Sequence, residues 1–302
     1  MKMVIAGGSG TLGRRLSADL TAHGHEVVVL TRTPRPGPYR QVPWDGRTVG
    51  AWAEELPGSA VVNLAGALVD RRPTTANIAL LTRSRTEPTE ALVMAAAATE
   101  AQVPVWMQVS TTAIYGDAGE ATVTEATPPA DGPPQMAGVA KAWEAAAAEA
   151  QAARLVILRT SLVLDKSTPA LDRLVSLSRL GLGGRIGTGR QWVSWIHIAD
   201  WLAVVRQVLE TGIGDSTRQV LLATGPQPVR NAELMAAVRH VVRRPWSPPT
   251  PAPLVRVGAL LLRTDPALAL TGRRAIPEVL LKVGFQFQHP ELREALADLL
   301  SA

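Results

Sequence analysis

Three glycines near the start of the chain are the first residues whose type and spacing indicate chemistry. Gly7, Gly10 and Gly13 follow an apolar run at 3–6 and precede a segment with leucines at helical spacing. Glycine tolerates tight turns and lets an anion approach the backbone, while a helix start offers unpaired N–H groups and a positive dipole end. This pattern predicts the first unit of a dinucleotide-binding fold, with a glycine turn that binds no ligand as the alternative. The predicted pyrophosphate cradle comprises Gly7, Gly10, Thr11, Leu12 and Gly13.

The end of the second apolar run predicts which dinucleotide is bound. Residues 26–30 read as a strand, and Thr31 and Arg32 follow it. In dinucleotide-binding folds the residue at this strand end, about 20 positions after the glycines, meets the adenosine ribose. A carboxylate there would favour NAD, whereas a hydroxyl and a guanidinium suit a 2′-phosphate, which arginine can bind bidentately. The sequence therefore predicts NADP(H), bound by Thr31 and Arg32, unless Arg32 is only a solvated arginine.

Polar side chains after two later strands are candidates for catalysis. The strand at 103–109 is followed by a hydroxyl cluster at 110–112, from which Thr111 could hold a reacting oxygen. Tyr115 could supply a proton, or it could pack with its hydroxyl on the backbone. Asp70, after the strand at 60–64, could act as an acid or be a solvated loop carboxylate.

The end of the strand at 60–64 is a further candidate for cofactor binding. Its residues Leu64, Ala65 and Gly66, of which the last two are small, fit a close approach of the backbone to the cofactor.

The elements that position these residues alternate along the chain. Apolar runs separated by helical segments predict an α/β fold with a doubly wound parallel sheet. A helix at 74–102 is expected to break or kink at Pro88, and another spans 136–153. Asp200 is the predicted N-cap of a later helix. Residues 1–165 are expected to form the NADP(H)-binding core, and 166–302 a mixed segment that completes the core and forms a smaller C-terminal substrate lobe.

Composition excludes several classes of function. The chain has 302 residues and no cysteine, which removes disulfides, thiolate nucleophiles and cysteine-based metal centres. Its five histidines lack metal-site spacing, so no metal is expected. The net charge of +5 comes from dispersed arginines, which disfavours nucleic acid as a partner. A strand at the start leaves no room for a signal peptide, and no segment predicts a membrane span. We expect a cytoplasmic protein with a small-molecule substrate, and we leave a homodimer open.

Taken together, the motifs resemble those of the extended, atypical short-chain dehydrogenases/reductases, in the sugar-epimerase-like branch with a small C-terminal helical domain. The resemblance rests on G-G-S-G-T-L-G at 7–13, L-T-R at 30–32, V-N-L-A-G at 62–66, S-R at 84–85, Y-G at 115–116, W-E at 143–144, the run at 189–197 and G-F-Q-F at 284–287. It implies a Rossmann-like core, an NADP(H) site and a substrate cleft between core and C-terminal lobe. It also implies that Arg85 contacts the cofactor.

The chain departs from that superfamily at its chemical centre. The superfamily uses a Ser or Thr with a Tyr-x-x-x-Lys pair on a helix, in which the tyrosine moves the proton. If Lys141 is the lysine here, the tyrosine position holds Ala137; if W-E at 143–144 sets the register, the pair becomes Met136 and Ala140. Neither register contains a tyrosine, and neither methionine nor alanine can move a proton.

Three functions remain compatible with a phosphate-binding turn and a missing tyrosine. The first is an NADP(H)-dependent, epimerase-like oxidoreductase that takes its proton from Tyr115, Asp70 or bound water. The second is a non-redox isomerase or cyclase on the same fold. The third is a non-catalytic NADP(H) sensor. The sequence favours the first and leaves the substrate undefined.

Overall fold

A seven-stranded parallel sheet forms the centre of the computed structural model, which describes residues 1–99, 101–214 and 216–300. The strands are β1 (Lys2–Ala6), β2 (Glu26–Thr31), β3 (Arg40–Pro43), β4 (Ala60–Asn63), β5 (Val103–Thr111), β6 (Thr122–Val123), β7 (Ala152–Thr160), β8 (Leu162–Leu164), β9 (Trp192–Val193), β10 (Trp195–His197), β11 (Arg218–Ala223), β12 (Val229–Arg230) and β13 (Arg274–Ala275). The sheet order is β11-β7-β5-β4-β1-β2-β3. The chain therefore leaves β1 towards one edge and returns at β4 towards the other, which confirms the predicted doubly wound α/β fold.

The central strands are apolar on both faces because helices cover both sides of the sheet. Met3 and Ile5 of β1 are buried on the face where Leu16 packs. Val4 belongs to the core on the opposite face, together with Leu92. Side chains alternate across a strand, so this short run contributes to two cores at once.

The helices are α1 (Thr11–Ala22), α2 (Thr75–Ala97), α3 (Val139–Ala147), α4 (Pro169–Arg179), α5 (Ile198–Glu210), α6 (Asn231–Val241), α7 (Ala252–Leu262), α8 (Ala267–Leu270), α9 (Glu278–Lys282) and α10 (Leu292–Leu300). None of the described helices is long and apolar enough to cross a lipid bilayer.

Three local predictions about helices need correction. The helix α2 continues through Pro88, which is buried near Gly46, so a break there is wrong and a kink there stays a prediction; tertiary packing sustains the helix where a backbone donor is missing. The predicted helix at 136–153 is shorter: a π-helical turn at Pro134–Gly138 leads into α3, and β7 already starts at Ala152. His197, not Asp200, caps α5, through an Nδ1 that accepts the N–H of Ala199 at 3.1 Å.

The second half of the chain contributes both to the sheet and to a separate layer. The edge strand β11 pairs with β7, whereas β13 pairs with β6 and so joins the C-terminal segment to the loop after β5. Asp200 accepts the N–H groups of Gln288 and His289 and thereby attaches the final segment to α5. Residues 166–302 can complete the core and also form a C-terminal lobe only if they make contacts of this kind. The domain boundary expected at residue 165 stays a prediction.

Candidate functional site

The glycine turn lies at the carboxyl end of β1, where the strand order reverses and open α/β sheets bind ligands. Gly7 has a φ of +77°, and a Cβ there would lie 2.8 Å from the carbonyl carbon of Leu64. A Cβ on Gly13 would lie 2.5 Å from Gly8 Cα. These two glycines are therefore required by the fold itself, because a side chain would collide with backbone.

Gly10 differs from the other two because its missing side chain leaves space outside the protein. A Cβ there would meet only the carbonyl oxygen of Gly7, at 3.3 Å. Gly10 is the N-cap of α1 and supplies no side-chain cap. The first N–H groups of α1 thus lack a side-chain acceptor, and the bare backbone in front of them is a cradle that fits a pyrophosphate.

The neighbouring strand ends hold their backbone next to this turn. The buried Asn63 donates from Nδ2 to Thr89 Oγ1 and Gln108 Oε1, at 2.8 and 2.9 Å, and its Oδ1 accepts the N–H of Ala65. This side chain fixes the course of residues 64–66 beside Gly7. Thr31 is buried at the end of β2, and Arg32 is exposed directly after it. The structure therefore brings the predicted cofactor residues of β1, β2 and β4 to one edge of the sheet.

A cavity of about 300 Å³ opens beside the ends of β5 and β7. Its lining residues are Val69, Arg85, Thr111, Thr112, Ala113, Gln135, Met136, Val139, Ala140, Trp143, Ser161, Leu162, Trp192, Val193, Ser194, Leu268, Thr271, Gly272 and Arg273. Thr111 accepts the N–H of Ala113 on its Oγ1 at 3.1 Å. Its hydroxyl proton therefore stays available to a ligand oxygen in the cavity.

The cavity decides between the two registers of the helix that lacks a tyrosine. Met136 and Ala140 line it, one turn apart. Ala137 is fully buried and is not among the lining residues, while Lys141 Nζ lies 3.5 Å from Asp131 Oδ1. Met136 and Ala140 thus occupy the two helix positions, four residues apart, that face the cavity. Lys141 belongs to a surface ion pair.

Tyr115 belongs to a buried polar network and does not line the cavity. Its hydroxyl donates to the carbonyl oxygen of Thr124 at 2.9 Å and accepts from Arg159 Nη1 at 2.8 Å. Burial raises the pKa of this hydroxyl, and the adjacent Arg159 offsets that effect only in part. Its proton is committed to a backbone carbonyl, which matches the alternative of a hydroxyl on the backbone; a role of Tyr115 as proton donor stays a prediction.

Asp70 also serves a structural contact. One carboxylate oxygen accepts from Arg173 of α4 at 2.8 Å, and the other accepts the hydroxyl of Thr264. Burial raises the pKa of this carboxyl, but the hydrogen bonds from Thr264 and Arg173 outweigh it and hold the pKa below its usual range. Asp70 is thus a carboxylate at neutral pH, has no proton to donate and does not line the cavity. This geometry matches the alternative of a structural carboxylate, and a role of Asp70 as an acid stays a prediction.

The network around Tyr115 is anchored by an ion pair between β7 and α3. Arg159 donates to both carboxylate oxygens of Glu144, at 2.9 and 2.8 Å, and Ser110 donates to the same group at 2.6 Å. Both partners are largely buried. This arrangement connects the strand end that carries Thr111 to the helix that borders the cavity, so it fixes the two relative to each other.

Replacing Glu144 by Ala is expected to lower the free energy of unfolding by about 3–5 kcal/mol, because a buried guanidinium loses its partner. Glu87→Ala, which breaks the exposed Arg47–Glu87 pair, is the matched control and should cost at most about 1 kcal/mol. Urea denaturation of the three proteins measures both changes. Similar small losses in the two variants would contradict the proposed anchoring role of Glu144.

Arg85 lies between the cofactor edge and the cavity. Its guanidinium donates to the carbonyl oxygens of Leu81 and Ala67, at 3.1 and 3.0 Å, and stacks 5.0 Å from the centre of the Trp143 ring. Burial lowers the pKa of Arg85 to about 10. The contact with cofactor implied by the resemblance stays a prediction, since most of the guanidinium faces protein groups.

A histidine cluster outside the cavity does not change the expectation that no metal is bound. His197, His289 and Asp298 lie close together. Nδ1 of His197 accepts the N–H of Ala199, which leaves the proton of the neutral ring on Nε2, 3.3 Å from Asp298 Oδ2. Burial and the neighbouring His289 lower the pKa of His197. A protonated Nε2 facing a carboxylate is a donor, and it does not offer the lone pair that a metal needs.

Several cavity residues were not anticipated from the sequence. Gln135, Trp192 and Arg273 reach the cavity from different elements, and no local motif distinguishes them. Arg273 is one of the dispersed arginines, next to Arg274, and its sequence neighbours give it no distinguishing pattern. Arg273 is brought there by the β13–β6 pairing, which places the C-terminal segment on the loop after β5.

Comparisons with known proteins give a consistent result. Residues 3–221 match the profile of the NAD dependent epimerase/dehydratase family, and residues 250–299 match a domain of unknown function, DUF1731. Epimerase family protein ML0860 of Mycobacterium leprae is 35% identical over 98% of this chain and 94% of its own length. Epimerase family protein SDR39U1 of Homo sapiens is 32% identical over the full length of both chains. The crystal structure of the human protein (isoform 2) with NADPH superimposes with a TM-score of 0.87 at 30% identity, over 100% of this chain and 99% of that one.

Proposed function

Since the chain belongs to the NAD dependent epimerase/dehydratase family, we propose that it binds NADP(H) at the glycine turn and acts as an epimerase-like oxidoreductase on a small molecule in the adjoining cavity. The observation that carries this proposal is Gly10, whose missing side chain serves no internal packing and leaves an uncapped helix start exposed. The cavity with Thr111 lies at the same edge of the sheet. A cytoplasmic location and a homodimer stay predictions.

The cofactor assignment is supported by the NADPH in the structure of the human relative and by the end of β2. The exposed Arg32 offers a guanidinium where a ribose 2′-phosphate would be read, and Thr31 directly before it is buried, with its hydroxyl 3.4 Å from Ser9 Oγ. NADPH supplies a hydride when it is bound. The residues of this chain bind its phosphates and position the substrate.

Arg32→Ala is expected to weaken NADPH binding by about 1.5–3 kcal/mol, because a hydrogen bond from a charged donor to the 2′-phosphate is lost. NADH lacks that phosphate, so its affinity should change little and serves as the internal control. Calorimetric titration of both nucleotides against both proteins measures the difference. Equal affinities of the parent protein for NADPH and NADH would contradict the assignment.

Within the cavity, Thr111 is the residue placed to bind the reacting oxygen, because its hydroxyl proton is not used inside the protein. Among the described residues, those that line the cavity include no tyrosine, histidine or carboxylate. A strong general acid is therefore missing, and bound water is the remaining proton source of those considered. We expect slow turnover on generic carbonyl compounds, because general acid–base assistance contributes about 10²–10⁴-fold in rate.

The experiment is NADPH oxidation over a panel of aldehydes and ketones with the parent protein and Thr111→Val. Loss of one donor to a developing oxyanion should lower kcat about 10²–10³-fold while NADPH affinity stays unchanged. Thr122→Val, at an exposed threonine of β6, is the control and should behave like the parent. Unchanged activity in Thr111→Val would remove the hydroxyl from the mechanism.

The lack of an acid in the cavity favours a second function, an NADP(H)-binding sensor without turnover. A sensor needs only the cofactor site and a ligand cavity, both of which can operate without proton transfer. Cavity ligands that change NADPH affinity without any oxidation of NADPH would support the sensor. Measurable oxidation that depends on Thr111 would support the oxidoreductase.

A further inference from the structure

We propose that Arg273 binds a carboxylate of the cavity ligand. This proposal rests on the proposed function, which places the reacting oxygen of the ligand at Thr111. The ligand class is then small hydroxy acids and oxo acids with a single carboxylate. Arg273 lines the same cavity as Thr111 but comes from the C-terminal segment between α8 and α9. The two residues would hold the two polar ends of one small molecule.

The backbone of Arg273 is fixed on both sides before any ligand arrives. Its N–H donates to the carbonyl oxygen of Trp192 at 3.1 Å, and its own carbonyl oxygen accepts the hydroxyl of Ser194 at 2.9 Å. The preceding Gly272 donates to Asp117 Oδ1 at 3.1 Å and packs so closely that a Cβ would collide with Trp192. The guanidinium therefore extends from a rigid base, which reduces the entropy lost on binding.

The side chain of Arg273 is half-buried and borders the cavity. Its Nε is buried without a hydrogen-bond partner in the described part of the chain. No carboxylate oxygen of residues 1–99, 101–214 and 216–300 forms an ion pair with it at 4.0 Å or less. Burial lowers the pKa of Arg273, and the charge of Asp117 offsets this effect only in part. A half-buried guanidinium that forms no ion pair with the protein is costly, so its presence in a cavity indicates an external anion.

The other buried arginines show what a structural role looks like in this protein. Arg159 donates to Glu144 and to Tyr115, and Arg85 donates to two backbone carbonyls. Both are therefore satisfied by the fold. Arg273 differs from these two because its Nε is buried without a partner. Arg71, Arg72 and Arg239 also have such an Nε, but of these four only Arg273 lines the cavity.

The charge and size of the cavity select a carboxylate. Arg273 and Arg85 are the cations among the described lining residues, and Arg85 already uses its donors on protein carbonyls. A single unpaired guanidinium matches one planar carboxylate bidentately, whereas a diphosphate would bring more negative charge than it can neutralise. A volume of about 300 Å³ is at the small end of ligand pockets.

Two further buried atoms would complement such a ligand. The Nε1 of Trp143 and the Oε1 of Gln135 have no hydrogen-bond partner in the described structure, and both residues line the cavity. The Nε1–H of Trp143 can donate to the oxygen of a ligand hydroxyl group, and the Oε1 of Gln135 can accept the hydrogen of that group. The apolar rest of the lining, which includes Leu162 and Leu268, suits a short carbon chain.

The test uses the protein saturated with NADP⁺, so that binding is measured without turnover. Calorimetry compares 2-oxo acids of three to six carbons with their methyl esters and with methyl phosphate. The parent protein should prefer an acid over its ester by roughly tenfold or more, as expected for a bond to a charged group. Arg273→Met should abolish this preference and leave NADP⁺ affinity unchanged.

Arg274→Met is the matched control, because the adjacent arginine stacks over the Trp192 ring at 4.9 Å and is not a lining residue. It should retain the preference for the acid. The proposal would be overturned if Arg273→Met preferred the acid over its ester as strongly as the parent does. It would also be overturned if the parent showed no such preference. Tighter binding of methyl phosphate through Arg273 would overturn the carboxylate assignment.

Thermal unfolding without cavity ligand adds a readout that separates a binding arginine from a structural one. Removing an unpaired buried charge should leave Tm unchanged or raise it, so a clearly lower Tm of Arg273→Met would overturn the proposal. Failure of the proposed function would have a different signature. The parent would then fail to bind NADP⁺, or would show the acid preference without any NADPH oxidation.

Discussion

Gly10→Val is expected to abolish NADPH binding while leaving the fold largely intact. Its backbone, with φ −71° and ψ 173°, is one that valine adopts readily, and the added Cβ meets only one carbonyl oxygen at 3.3 Å. The valine methyl groups would then occupy the space of the pyrophosphate at the start of α1. Fluorescence titration with NADPH should show no saturable binding, and Tm should fall only slightly.

Gly13→Val is the control, because it introduces the same side chain three residues later in the same turn. Its Cβ would lie 2.5 Å from Gly8 Cα, so the collision is with backbone inside the protein. We expect this variant to be strongly destabilised, since neither backbone segment can move away without disrupting the turn. If Gly10→Val binds NADPH normally and melts at the same temperature as the parent, Gly10 is only a turn residue and the cofactor site is wrongly placed.

The double substitution Met136→Tyr with Ala140→Lys is expected to raise NADPH oxidation on a carbonyl panel by about 10²–10⁴-fold. Both positions line the cavity one turn apart, so the new tyrosine would face the same space as Thr111. The lysine one turn later would lower the pKa of the tyrosine and so help it to move a proton. Steady-state rates at saturating NADPH measure the gain.

Ala137→Tyr, which uses the native Lys141, is the matched control and should give no gain. Ala137 is fully buried away from the cavity, and Lys141 pairs with Asp131. A gain from Ala137→Tyr and none from the double variant would show that the other register carries the chemistry. Tm of each variant is needed, because a buried tyrosine at position 137 is expected to overpack the core.

The sequence by itself determined the central strands of the sheet, the glycine turn and the NADP(H) prediction, whereas the edge strand β3 lies in a stretch that reads as a loop. Apolar runs such as 3–6 and 60–64 predict buried parallel strands because the pattern is local and needs no distant partner. The same holds for Gly7 and Gly10, whose spacing after a strand and before a helix is a property of one short segment. Each of these inferences depends on residues within a few positions of each other.

Only the tertiary structure decided which side chains meet in the cavity. Tyr115 is hydrogen-bonded to Arg159, 44 residues away, and Asp70 to Arg173, 103 residues away. Neither contact can therefore be inferred from the residues next to Tyr115 or Asp70 in the sequence. The register of the helix around Met136 also depends on which face packs against the sheet. Arg273 reaches the cavity through the pairing of β13 with β6. Contacts between distant segments are set by how the whole chain packs, which local periodicity does not encode.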